Sequence, residues 1–495
     1  MLIVEPVAYP TVRTLSSLCL FVIKDLLISY VHSLPASNKS TLPDALFVIS
    51  PFDPLPSQCV QELINLLAEK KQLDITLLSV LIHTHLTSID LSPLIQNAKQ
   101  LIKPKLFQLI TSRCTELLHL TLGMSCNMMG GKLVLNTLIS NNKVLRTLIV
   151  SNFRPIDEVI SRISIMRYLT TLDLSNSQLS DDGVTLLTSQ EPPLPDLTSL
   201  NVSNTQITSY GMQLIFSNFI SLLDLNLSQL DLTVPFVNLK PHRLTSLTLL
   251  NTDILPDNLY SLLLAVLQVQ HLELYPYHNS FIDRDWLWDV LAALPDITYF
   301  STYRSSLKLA NSFTKRLEYL SLPCTLSRIS APLMCTLFPS LQHLNLDDCK
   351  ITDGANSPGI AWNTTELISL SLAGATFSQT DHTSSAEQEM LTFIGSFGNL
   401  EKLDISRTDI FTFILMDLLR RTSVFKLTHL TLHSCDKLNK DIIKFLTELA
   451  YTCTHQCCVD LSYCFNVKKS DLELFRDSLK QAIPPVQHGL SVKWL

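Results

Sequence analysis

Glycine is scarce in this chain, 11 residues in 495. No Gly-rich loop follows a strand in the arrangement that cradles phosphates, so no nucleotide-binding signature is present. Charge is thin as well, at 16% of residues, and it tilts acidic: 37 Lys and Arg stand against 44 Asp and Glu, for a net charge of -7. Phosphate backbones need clustered Lys and Arg, which disfavours nucleic acid and acidic membrane surfaces as partners. Although 46% of the residues are hydrophobic, no stretch approaches the roughly 18 to 20 uncharged apolar residues that span a bilayer. The apolar run Leu15 to Ile23 after Arg13 has the outline of a secretory leader. Lys24 and Asp25 interrupt it and no small-residue cleavage site follows, so it is expected to be a helix of the fold. The 12 cysteines do not frame small loops, a usage that suits reduced thiols in a cytoplasmic or nuclear protein.

What is abundant is a repeated unit, Leu-x-x-Leu-x-Leu followed by a polar turn and a further apolar residue. It reads LTTLDLSNSQL from Leu169, LTSLNVSNTQI from Leu197, LQHLNLDDCKI from Leu341 and LEKLDISRTDI from Leu400. First positions recur at Leu117, Leu145, Leu169, Leu197, Leu222, Leu244, Val269, Ile297, Leu317, Leu341, Leu367, Leu400 and Leu427, about 20 to 33 residues apart. A degenerate unit follows at Cys457, and IHTHLTSIDLS from Ile82 reads as an irregular first strand. Each unit is a short strand plus a return segment that cannot bury its apolar face alone, so neighbours must stack. The intervals leave room for helices such as SDDGVTLLTS after the strand of Leu169. The expected fold is an α/β leucine-rich-repeat solenoid of about 13 to 14 repeats. It would form an arc or horseshoe with parallel strands on the concave face, helices on the convex face and a helical N-terminal cap. The expected domains are residues 1–110, helical, and 111–495, repeats.

The position three after the last strand leucine should point beneath the turn, where a small side chain with a hydrogen-bonding atom satisfies buried backbone. It holds Ser177, Thr205, Thr252, Cys349, Thr408 and Cys435. The segment LDDCKITD from Leu346 resembles the cysteine-containing repeat of intracellular receptor subunits of ubiquitin ligases.

Two short motifs precede the repeats. In the first segment Leu15, Leu18, Cys19, Val22, Ile23, Leu26, Leu27 and Tyr30 have helical spacing, with Thr14 at the N-cap position. Leu15, Cys19 and Ile23 are spaced by four and share a face that can fill an apolar groove on a partner. After a proline-dense connector over residues 32–56, LPSQCVQEL from Leu55 opens a second helix, expected from Ser57 to Glu69. Pro56 suits its first turn, and Cys59 and Leu63 share a face. TLSSLCLFVI from Thr14 resembles the box by which substrate receptors grip Elongin C, with Leu15, Leu18, Cys19 and Ile23 as its contacts. LPSQCVQEL resembles the companion box that selects cullin-2, with Leu55, Pro56, Cys59 and Leu63 facing the scaffold. PLPSQCVQEL from Pro54 also satisfies the first pattern, so which match would hold Elongin C stays open.

The order of box helix, Pro-led second box and leucine-rich repeats is similar to the Zyg-11 and Zer-1 family of cullin-2 substrate receptors. The resemblance implies a non-catalytic receptor holding Elongin B and Elongin C with cullin-2 at one end and a target protein on the repeats. Family members continue into an armadillo-like helical domain that captures substrate N-termini. The present chain reads as repeats to Leu495, and recognition of N-terminal glycine is not carried over. Two alternatives remain: a leucine-rich-repeat scaffold or inhibitor with no ligase role, and an F-box-like receptor bound to Skp1, since Leu-Pro heads that motif too.

Strand side chains alternate, so the residues between the strand leucines line the open face. A target-binding patch is expected there from His271, Glu273, Tyr275, Tyr299, Tyr319, His343, Asn345 and Asp347, with tyrosines as interface anchors. No enzyme signature is present and no cofactor is expected. His83-x-His85 and the group Cys453, His455, Cys457, Cys458 and Cys464 are the best metal candidates, but their spacing matches no familiar zinc arrangement and the expected reading is free structural thiols.

Overall fold

The computed structural model describes residues 15–33, 54–95, 104–122, 131–154, 156–237, 239–276, 294–303, 316–324, 329–330, 338–352, 366–377, 386–395, 397–421, 426–452, 456–480 and 490–494. The chain divides into two compact units, one over residues 12–266 and one containing residues 267–495.

The first unit opens with helices α1 (Leu15–Ser33), α2 (Ser57–Glu69) and α3 (Ile75–Leu81). It continues as β1 (Ser88–Asp90), α4 (Ser92–Ile95), α5 (Pro104–Arg113), β2 (His119–Thr121), α6 (Gly131–Asn141), β3 (Thr147–Ile149) and α7 (Asp157–Ile163). Next come β4 (Thr171–Asp173), α8 (Asp181–Leu187), β5 (Ser199–Asn201), α9 (Ser209–Asn218), β6 (Asp224–Asn226), β7 (Asp231–Leu232), β8 (Ser246–Ile254) and α10 (Pro256–Ala265). Strands β1 to β6 pair in parallel with their successors and β6 pairs with β8, always one middle residue against the next, such as Leu172 on Leu200. The parallel array includes β1, within the IHTHLTSIDLS segment read as an irregular first strand, where Leu86, Ile89 and Leu91 are buried as in the later repeats.

The second unit holds β9 (His271–Pro276), β10 (Tyr299–Thr302), β11 (Tyr319–Ser321), β12 (Ile329–Ser330), β13 (His343–Asn345), β14 (Lys350–Thr352), β15 (Ser369–Ser371) and β16 (Thr376–Phe377). Then follow α11 (Ala386–Gly395), β17 (Lys402–Asp404), α12 (Thr412–Arg421), β18 (His429–Thr431), α13 (Ile442–Thr452), β19 (Cys457–Asp460), α14 (Lys469–Lys480) and β20 (Leu490–Lys493). A parallel ladder runs β9, β10, β11, β13, β15, β17, β18, β19, β20. Strands β12, β14 and β16 form a small parallel sheet of their own. Parallel strands from successive repeats, with helices such as α8, α9 and α13 in the return segments, make this an α/β leucine-rich-repeat fold.

All thirteen predicted first positions, from Leu117 to Leu427, are buried, none more than 6% exposed. Burying a leucine stabilises by about 1.5 to 3 kcal/mol, so the repeat itself is the main source of stability. The expected turn position does its work too. Ser177 Oγ donates to Leu174 O at 2.6 Å, Thr205 Oγ1 to Val202 O at 2.8 Å and Thr408 Oγ1 to Ile405 O at 2.6 Å. Cys349 Sγ and Cys464 Sγ reach back one repeat, to Leu322 O at 3.1 Å and Leu432 O at 2.9 Å.

One position earlier the backbone turns left-handed in repeat after repeat: Asn152, Asn176, Asn204, Gln229, Asn251, Cys324, Asp348, Gly374, Arg407, Ser434 and Tyr463 all have positive φ. Asparagine adopts that conformation more readily than most residues. It aims the amide at the next turn, as in Asn176 N donating to Ser203 O at 2.8 Å and Asn204 N to Ser228 O at 2.8 Å. Asparagine is absent from the position beneath the turn, but it serves the column beside it.

A second relay joins helix starts. Asp181, in the first turn of α8, accepts from Thr208 Oγ1 at 2.6 Å, Thr208 N at 2.9 Å and Gly211 N at 3.1 Å, which caps α9 from the previous repeat. Asp157 does the same for Ser180 at the start of α8. Gly183 and Gly211 stand where a Cβ would collide with these two carboxylates, so the close approach requires glycine.

Candidate functional site

On α1 the helical stripe divides. Leu27 and Val31 are buried, at 0% and 6% exposure, against the helices that follow. Cys19 is exposed, and Val22 and Leu26 are 60% and 62% exposed. The spacing 19, 22, 26 puts those three on one face, an uncovered apolar ridge. Ile23 is half-buried. Lys24, only 12% exposed in its side chain, pairs with Asp25 at 3.1 Å and lies 5.6 Å from the centre of the Phe21 ring. Thr14 and the side chains of Leu15 and Leu18 lie outside the described residues.

Helix α2 spans the expected residues. Pro56 precedes it, exposed, while Leu55 and Cys59 are half-buried. Leu63 is fully buried, with Val60, Ile64 and Leu67 on the same side. This corrects the expectation that Leu63 faces a scaffold: its side chain pins α2 to the molecule. The sequence spacing places Cys59 and Leu63 on one face, but it does not tell which end of that face neighbouring helices cover.

The expected target patch falls on the open face of the second unit, and its residues come together in rows across the strands. His271, Tyr299, Tyr319 and His343 occupy equivalent positions of β9, β10, β11 and β13. Their rings form a ladder. His271 stacks on Tyr299 with centroids 3.8 Å apart and planes 16° apart, and Tyr299 on Tyr319 at 4.1 Å and 11°. His343 follows, tilted, at 5.9 Å. The next row is Glu273, Ser301, Ser321 and Asn345. The row after it carries Tyr275 and Tyr303, in edge contact at 6.0 Å, and Tyr275 Oη lies 2.7 Å from Ser301 Oγ. Tyr303 is an addition to the expected patch; it follows Tyr299 by the same four residues that separate Tyr275 from His271.

The electrostatics of the ladder follow from its packing. Burial pushes the Tyr299 hydroxyl above its ordinary range, reinforced by Tyr319 and by Glu273, so it stays a neutral donor. Burial, then the Lys402 ammonium, lowers His343, opposed by Glu318. His271 Nε2 lies 3.2 Å from Glu273 Oε1. Asn345 serves its own turn and Asp347 the turn of the next repeat. Asn345 Oδ1 accepts from Asp347 N at 2.9 Å, and Asp347 Oδ1 accepts from Ser371 Oγ at 2.6 Å and Ala373 N at 2.9 Å. The side chains of the patch left free of turn hydrogen bonding are therefore chiefly the rings and Glu273.

The metal candidates separate. His83 is buried and its Nδ1 accepts from His85 N at 3.1 Å, while His85 lies 3.3 Å from Glu116. Cys457 and Cys464 are buried core residues, and Cys453 and His455 lie outside the described residues. Burial pushes the Cys435 thiol up to about 11 and Cys114 to about 12. Among the described residues no group of three His, Cys, Asp or Glu could hold a metal ion. No described helix is long and apolar enough to cross a membrane.

No family model matches the chain, and no curated protein matches it. Among the solved structures similar in part are two leucine-rich-repeat proteins. An internalin from Listeria monocytogenes is 16% identical with a TM-score of 0.41, over 71% of this chain and 84% of the internalin. TLR13 in its complex with ssRNA13 is 16% identical with a TM-score of 0.41, over 77% of this chain and 55% of the TLR13 chain. The chain thus spans little more than half the length of that second protein.

Proposed function

We propose that the chain is a protein-binding adaptor without catalytic activity, the substrate-recognition subunit of a cullin-2 ubiquitin ligase. In this reading α1 docks on Elongin C with Elongin B, the head of α2 meets cullin-2 through Leu55, Pro56 and Cys59, and the ladder face of residues 267–495 holds the target protein. The observation that carries it is the uncovered ridge Cys19, Val22 and Leu26 on a helix whose opposite side is buried. Large apolar side chains left in water over consecutive turns favour a partner groove. The test is recovery of the tagged protein from cells with Elongin B, Elongin C and cullin-2, repeated with Cys19→Asp and Val22→Asp. Loss of all three partners from a folded variant supports the reading. Their absence from the unaltered protein overturns it, and recovery of Skp1 in their place supports the F-box-like alternative.

The complete burial of Leu63 favours a second reading, a repeat scaffold whose N-terminal helices only cap the array. In that case neither aspartate substitution changes any partner.

A further inference from the structure

Among the described residues no helix lies between β6 and β8; the short strand β7 stands in the return segment instead. Pro235 and Pro241 punctuate that segment, and a proline inside a helix removes a hydrogen bond and clashes with the preceding turn. An extended chain is thinner than a helix, so the last turn of α9 is covered only in part. What remains is a cavity of about 570 Å³ whose walls include Phe216, Ile220, Leu223, Lys240, Pro241 and Arg243.

His242 sets its shape. The His242 backbone N donates to Ala265 O at 2.7 Å and Nε2 donates to Phe219 O at 2.8 Å, which ties the loop both to α10 and to the residue that ends α9. The imidazole also meets the Phe216 ring edge-on, 5.3 Å between centroids. The cavity is therefore formed before any partner arrives.

Two properties describe its occupant. Ile220 and Leu223 are 76% and 42% exposed beside the exposed Pro241, an apolar shelf that an apolar guest would remove from water. Lys240 and Arg243 are exposed cations that make no ion pair or hydrogen bond among the described residues, and no acid lines the cavity. Elsewhere Arg316, Arg407 and Lys493 each pair with a carboxylate. Two unpaired positive charges beside an apolar shelf complement an acidic residue next to an apolar one.

The openness of the cavity selects the kind of partner. Small-molecule sites bury roughly 70 to 90% of their ligand, whereas Ser217, Ser221, Lys240 and Arg243 are all exposed here and make an open niche. Such a niche covers a side chain of a larger partner. Anionic membranes are held by clusters of about 4 to 8 cations, and a concave surface presents nothing to insert into a bilayer.

We infer that this cavity is a separate protein-docking site, which seats an apolar side chain of a partner segment while acidic residues flanking that side chain pair with Lys240 and Arg243. It lies apart from α1 in sequence and stands independently of the ligase reading.

The test is fluorescence anisotropy of the full chain with a fluorescein-labelled peptide of two leucines flanked on each side by three glutamates. Two control peptides carry lysines for the glutamates or serines for the leucines. Saturable binding of the acidic leucine probe alone is expected, weakened about tenfold by Ile220→Ser and by Lys240→Glu combined with Arg243→Glu. The double variant should also gain binding of the lysine-flanked peptide, which misfolding could not produce. Lys444→Glu, at an exposed lysine of α13, should leave affinity unchanged. No saturation by the acidic leucine probe, equal binding of either control peptide, or parent affinity in both variants overturns the inference. Sedimentation with phosphatidylserine vesicles that the double variant abolishes, without peptide binding, also overturns it and assigns the site to a membrane. Elongin recovery is tested on α1 alone, so failure of either proposal is distinguishable from failure of the other.

Discussion

The phenol rings of Tyr299 and Tyr319 lie face to face on adjacent strands, 4.1 Å between centroids and 11° between planes. Residues in register on neighbouring parallel strands are about 4.8 Å apart, so the sheet itself imposes the stack once both positions hold rings.

That pairing sets an alkaline prediction. The Tyr299 hydroxyl is raised above its unfolded value by burial and by its neighbours. A group raised on folding contributes stability that is present below the unfolded pKa of about 10 and is lost as pH rises through the folded value. Near-ultraviolet titration should show one tyrosine ionising later than the rest, and Tyr319→Phe should move it back towards the others. A single transition at the ordinary tyrosine value would contradict the stacked, desolvated arrangement.

The opposite sign applies at His343, which burial and Lys402 depress while Glu318 pulls the other way. Its neutral form is favoured in the folded chain, so its contribution is present above the unfolded value of about 6.5 and is lost as pH falls through the folded one. Imidazole proton shifts followed by NMR should place His343 below the ordinary histidine range. Lys402→Ala should raise it, and Glu318→Gln should lower it further. Identical midpoints in all three proteins would show that neither charge acts on the ring.

The helix-start relay gives a coupling that a double-mutant cycle can read. Asp181→Ala removes three hydrogen bonds at the start of α9 and should cost about 1 to 2 kcal/mol, as lost caps do. Gly211→Ala forces a methyl group against the same carboxylate and against Ile207, which should cost about 1 to 3 kcal/mol. In the double variant the carboxylate clash is gone, so the two costs should fall short of their sum by about 1 kcal/mol in urea unfolding. Strict additivity would mean that Asp181 does not occupy the space beside Gly211.

Much of this architecture is legible in the chain because leucine-rich repeats write their core periodically: the same spacing that places Leu169 and Leu197 also places Ser177 and Thr205 beneath the turns. What escaped was whatever depends on a neighbouring repeat. Asp157 and Asp181 look like ordinary first-turn acids until the next helix start is seen to use them. Asn176 and Asn204 look like solvated turn residues until their left-handed backbones line up. Tyr303 lies just beyond the strand motif, so the repeat pattern alone does not mark it. At α2 the apolar spacing of Cys59 and Leu63 is real, but only the packing of the preceding helices decides that Leu63 is covered.

The same issue decides α1, where apolar residues on opposite sides have opposite exposures. Leu27 is fully buried, and Leu27→Ser should destabilise the chain by about 2 to 4 kcal/mol through the cavity and the unpaired hydroxyl. Val22 and Leu26, well exposed, make few contacts to lose, so Val22→Ser and Leu26→Ser should stay within about 0.5 kcal/mol of the parent. A helix that only caps the array has no use for that second, uncovered row, and polar residues there would improve solubility at no cost. A docking helix keeps it. Thermal unfolding of the three variants, compared with their retention of Elongin C, therefore separates the two roles. Normal stability with lost retention in the Val22 and Leu26 variants identifies a docking face, whereas destabilisation by these two as large as that of Leu27 would place the ridge inside the fold and remove the basis for docking.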